Sequence, residues 1–90
     1  MKRIAYHCTN DVEGIRLVGY VIPSRMINVF LFKLETTARY YLKEFDYRNV
    51  VKVEYDTKDV ESSWKPKWAR NEMVIKLKVG RSARFLCPID

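Results

Sequence analysis

The sequence predicts an α+β domain in which one sheet of five or six short strands carries most of the core and two helices pack on it. Three observations lead there. Stretches that alternate apolar and polar side chains recur at residues 2–8, 49–55 and 72–79. Ala38, Tyr41, Leu42 and Phe45 stand at i, i+3, i+4 and i+7, the spacing of one helix face. Ninety residues, 48% hydrophobic and 31% charged, are enough for a single domain spanning residues 1–90 with one packed core.

Taken in order, residues 2–8 read as a half-buried strand, Ile4, Tyr6 and Cys8 alternating with Arg3, Ala5 and His7. Thr9 or Asn10 is placed to cap a short helix through Val18, with Glu13 three residues after Asn10 completing a capping box and Gly19 ending the helix in a left-handed conformation. Gly14 inside that helix costs about 1 kcal/mol against alanine, so packing must hold it. Tyr20, Val21 and Ile22 form an extended piece closed by Pro23. Residues 27–34 are almost continuously apolar and suit a central strand covered on both faces.

The clearest helix covers residues 35–45, with Thr36 or Thr37 as its cap and Tyr41 on the inward face. Residues 49–55 follow as a strand with one wet face. Residues 57–70 read as an irregular loop holding Trp64, Pro66 and Trp68 among charged side chains. A strand over residues 72–79, a turn at Gly80, and a last strand over residues 83–87 stopped by Pro88 complete the chain.

A net charge of +6 favours an anionic partner such as nucleic acid or nucleotide phosphates. Two indoles within five positions, Trp64 and Trp68, flanked by Lys65 and Lys67, form a candidate surface for stacking on bases or docking a partner. The two cysteines, Cys8 and Cys87, have no metal-ligand spacing, so no metal site is expected. No apolar run reaches signal-peptide or membrane-spanning length, and the expected location is the cytoplasm, of a microbe or of an infected host cell. The only histidine, His7, closes the first strand and is the natural candidate for chemistry near neutral pH.

Six short pieces in a fixed order carry a resemblance. Tyr6-His7-Cys8-Thr9, Ile15 to Gly19, Ile22-Pro23, Val29 to Phe32, Ala38-Arg39-Tyr40-Tyr41 and Asn71-Glu72-Met73-Val74-Ile75 follow one another over nearly the whole chain. Together they resemble the ADP-ribosyltransferase fold, in its His-Tyr-Glu branch typified by diphtheria toxin and the poly-ADP-ribose polymerases. The chain looks like a minimal version of it.

That resemblance implies NAD as the ADP-ribose donor and a protein or nucleic acid as the acceptor. It implies that His7 hydrogen-bonds the ribose beside nicotinamide and that the backbone at Cys8 and Thr9 holds the carboxamide. Tyr41 would stack on the nicotinamide ring, with Phe30 or Phe32 over its other face, and a one-residue change of helix phase exchanges Tyr40 for Tyr41. Glu72 would steady the positive charge that develops as nicotinamide leaves; Glu54 and Glu61 are the competing acids. Arg16, Arg25 or Arg39 would meet the pyrophosphate. Where the family has glycine after the histidine, this chain has Cys8, which leaves the site open if its side chain points into the core. By analogy, proteins of this size and branch are toxins or counter-defence effectors. The other reading is a non-catalytic module of the same fold that sequesters a nucleotide, or binds a host protein or nucleic acid through the Trp64 and Trp68 surface.

Overall fold

The computed structural model describes residues 1–21, 28–65 and 73–89. It is an α+β domain built on one six-stranded antiparallel sheet. The strands are β1 (Lys2–Thr9), β2 (Phe30–Phe32), β3 (Asn49–Asp56), β4 (Val60–Trp64), β5 (Val74–Leu77) and β6 (Arg84–Ile89), and the helices α1 (Val12–Val18) and α2 (Glu35–Glu44). Across the sheet the order is β4-β5-β2-β1-β3-β6. No helix among the described residues is long and apolar enough to cross a membrane.

The sheet is two three-stranded halves meeting at a seam. β1 pairs with β3 over its whole length, from Lys2 opposite Asp56 to Thr9 opposite Asn49, whereas β1 and β2 share one pair among the described residues, Tyr6 opposite Phe32. On the far side of β2, the Leu77 amide donates to the Val29 carbonyl and the Lys33 amide to that of Met73. Backbone groups alternate sides along a strand, so Phe30 and Phe32 turn theirs toward β1. Tyr6 and Cys8 turn theirs toward β2 in return. A continued ladder would set Cys8 opposite Phe30, and no such pair forms.

Side chains join the halves where the backbone does not. One core cluster gathers Ala5, Val51 and Val53 from the β1 half with Leu31, Ile75 and Leu77 from the β2 half, and Val12 of α1 packs against it. The opposite face carries a second cluster of Cys8, Phe32, Val50 and Val74 under Ala38 of α2, with Tyr41 and Leu42 at its margin. The helices therefore cover opposite faces, and β2 is covered on both as expected. Val50, expected on a wet face, is buried beneath α2.

Both helix starts differ from expectation. Asp11 is the N-cap of α1, accepting from the Gly14 amide at 2.9 Å, while Thr9 Oγ1 accepts from the Asp11 amide. Asn10 is used elsewhere: its Oδ1 accepts from the Arg48 amide at 2.7 Å and so ties the β1 end to the approach of β3. A Cβ at residue 14 would overlap the Asp11 carboxylate, so any larger residue there would displace that side chain from its capping position. Gly19 ends α1 at φ 86°, as expected. Leu34 occupies the N-cap of α2 and has no side-chain acceptor; the buried Thr37 hydroxyl finds no partner among the described residues.

The segment read as a loop contains a 3-10 turn, Thr57–Asp59, and strand β4. β4 was hidden because it lies at the edge of the sheet with a register shift between Val60 and Ser62 and four of its five residues exposed, so no alternation is imposed on it. The last strand runs through Pro88 to Ile89. Val51 turns its backbone toward His7, which leaves Pro88 opposite Val51 with its nitrogen facing outward, where no donor is needed. That outer edge is covered in part by residues 19–21: the Phe85 amide donates to Gly19 O and the Val21 amide to Ala83 O, both at 2.9 Å.

Candidate functional site

His7 stands at the seam. Its Nδ1 lies 2.8 Å from the Phe30 carbonyl, the group a regular ladder would have given to Cys8. A carbonyl oxygen can only accept, so Nδ1 carries the proton. Withdrawal from water holds the imidazole below its ordinary protonation range, against the smaller opposite pull of the Phe30 carbonyl. The ring is thus neutral near pH 7 and Nε2 presents a lone pair. Among the described residues Nε2 has no hydrogen-bond partner.

Cys8, next along β1, points to the other face. Its thiol donates to the Ala38 carbonyl at 3.0 Å and the residue is buried. The side chain therefore leaves the strand edge at the seam clear, which is the condition set for a cysteine in the glycine position. Thr9 is also buried, its hydroxyl committed to the turn into α1.

Burial pushes the Cys8 thiol from its ordinary 9.0 up to about 12. Iodoacetamide at pH 8 should accordingly alkylate the native protein at the exposed Cys87 and spare the buried Cys8, with both labelled after denaturation, as read by mass spectrometry. The same shift carries a pH dependence. Between pH 9 and 12 the unfolded thiol has lost its proton while the folded one keeps it, so stability falls as pH rises through this window. Cys8→Ala should remove that component from the alkaline arm of a denaturant titration.

Tyr41 does not join His7. It belongs to α2 and packs over Phe32, on the same face as Cys8, whereas the neighbouring His7 points to the face covered by α1. Its ring is stacked between Phe32 at 4.7 Å and Phe45 at 5.3 Å. Both faces of the phenol are in use. The expected stacking of nicotinamide on Tyr41 is therefore corrected: the ring anchors α2 to the sheet. Tyr40 meets Tyr41 edge-on at 5.9 Å and lies on the same side of the sheet. Phe32 is buried in that cluster and is likewise not a cover for a ligand.

Phe30 is half-buried on the same face of β2, at the margin of that cluster, its ring edge-on to Trp64 at 6.0 Å. Trp64 is 41% exposed at the end of β4, and Lys65 beside it is exposed. Arg39 is held by Glu35 at 2.8 Å on α2. Glu54 lies 3.7 Å from Arg84, and Glu61 is bonded to Lys76 at 2.8 Å. Arg25, Lys67, Trp68 and Glu72 lie outside the described residues.

Lys2, Arg3 and Lys33 line a depression of about 350 Å³ at the rim where β1 begins and β2 ends, together with Ile4, Leu34, Glu54 and Tyr55. Lys33 is thirty positions from Arg3, and only the antiparallel pairing of β1 with β2 unites them. Searches of protein-family models, of curated proteins and of solved structures return no match to this chain.

Proposed function

We propose that the chain takes NAD as donor and transfers its ADP-ribose to a macromolecular acceptor, the nicotinamide riboside end being held along the β1 edge at His7 and Cys8. The observation that supports this reading is the state of His7: a ring fixed by the Phe30 carbonyl, neutral, with Nε2 as an acceptor, beside a strand edge left unpaired with β2 at Cys8.

Elementary chemistry gives that combination its use. When the glycosidic C–N bond breaks, nicotinamide leaves with the bonding pair and positive charge grows at the anomeric carbon; the acceptor then bonds to that carbon and releases its proton. A neutral Nε2 accepting from a ribose hydroxyl positions the sugar without setting a cation beside the developing charge. The backbone amide and carbonyl of Cys8 face the seam with the donor and acceptor a carboxamide requires. Glu72 keeps the role the resemblance gives it, while Tyr41 has none in the reaction.

The test is nicotinamide release from NAD by the purified protein, followed by chromatography. Wild type should release nicotinamide, His7→Ala should lower kcat/KM roughly a hundredfold with an unchanged circular dichroism spectrum, and Glu72→Gln should lose transfer of labelled ADP-ribose. Undiminished release by His7→Ala, or none by the wild type, overturns the reading.

A further inference from the structure

We infer that the face of the sheet around Trp64 and Phe30 is a docking surface for single-stranded nucleic acid. This surface is separate from the donor reading above and does not rest on it. α2 packs chiefly on β1, β2 and β3, so among the described residues no helix is centred on the β4 end of that face. What lies there is aromatic. Trp64 pairs with Val74 and so points to the α2 side, where its ring meets the edge of Phe30. The two ring planes cross at 78° and so do not stack on each other, and the indole is 41% exposed, which leaves ring surface for a base of matching size.

Charge selects the partner. The chain carries +6 overall. Beside the rings, the acid Glu61 is neutralised by Lys76, and Lys65 remains as exposed positive charge next to Trp64. At the rim reached by following β2 past Phe32, Lys2, Arg3 and Lys33 surround the depression; Glu54 in its lining lies 3.7 Å from Arg84, and Asp56, 3.9 Å from Lys2, is shared with the N-terminal ammonium. Rings that take bases and a cation cluster that takes phosphates, set along one strand, match an unpaired polynucleotide. A duplex hides its base faces and offers phosphates alone.

The experiment is fluorescence anisotropy with a labelled twelve-nucleotide oligothymidine and a twelve-base-pair duplex, in 20 and 200 mM KCl. The single strand should bind about tenfold or more tightly than the duplex, and Trp64→Ala should remove that preference by weakening the single strand about tenfold. Changing Lys2, Arg3 and Lys33 together to glutamine should lessen the slope of log K against log salt by about 2, as three lost phosphate contacts require. Trp64 is exposed, so its variant should keep the native circular dichroism spectrum. Equal affinity for both probes, binding indifferent to Trp64→Ala, or no binding in 20 mM KCl overturns the inference; nicotinamide release is a separate assay and stands or falls by itself.

Discussion

Leu31→Ala should lower the free energy of unfolding by about 2–5 kcal/mol, read as a fall in the urea midpoint. Leu31 is fully buried on β2, in the cluster that joins Ile75 and Leu77 to Ala5, Val51 and Val53. The usual penalty for removing such a side chain combines lost burial with the cavity left behind. Here it also falls on the larger of the two clusters that hold the halves together, because among the described residues the β1–β2 ladder contributes only the Tyr6–Phe32 pair. Against a total of roughly 5–15 kcal/mol for a domain, that is a large share. Hydrogen exchange gives the second readout: amides of β2, β4 and β5 should lose protection before those in the long β1–β3 ladder. A change below 1 kcal/mol would show that the cluster is not what couples the halves.

Val53→Asp should be more damaging still and leave no cooperative thermal transition. Val53 is fully buried on β3, opposite Ala5 on one side and Phe85 on the other. No described cation lies in its cluster, so a carboxylate there would be ionised without a partner or protonated at the expense of its normal pKa. An uncompensated buried charge costs roughly 3–5 kcal/mol or more. Val53→Ala, which makes a smaller cavity and buries no charge, is the control and should stay folded. Near-ultraviolet circular dichroism and a melting curve distinguish the two; a folded, cooperative Asp variant would mean that water reaches this part of the sheet.

The fold was legible wherever burial imposes a pattern. The alternation of residues 2–8 and 49–55 became β1 and β3, the longest ladder among the described residues, and the helical spacing from Ala38 to Phe45 became α2. β4 was not legible because an exposed edge strand asks nothing of its side chains: Ser62 and Ser63 read as loop residues and pair with β5 all the same, with Glu61 at the register shift. Pro88 misled for a related reason, since a proline stops a strand only where its missing N–H faces a neighbour.

The site was legible in part. The alternation along residues 2–8 anticipates that His7 and Cys8 point to opposite faces, as the contacts of His7 with the Phe30 carbonyl and of Cys8 with the Ala38 carbonyl reflect. Which face each aromatic occupies was beyond it. Tyr41 sits on the inward side of its helix as expected, but that helix covers the face opposite His7, and face choice depends on how the chain crosses the sheet. The cation cluster at the rim depends in the same way on strand pairing between distant residues.

The unequal treatment of the two sheet margins has a consequence for self-association. Residues 19–21 run alongside β6, while β4, at the opposite end of the strand order, has no described strand beyond it. A molecule of this kind offers one template for adding a strand and blunts the other. Two copies meeting at β4 would consume both templates, so growth by strand addition terminates at a pair instead of extending into a fibre.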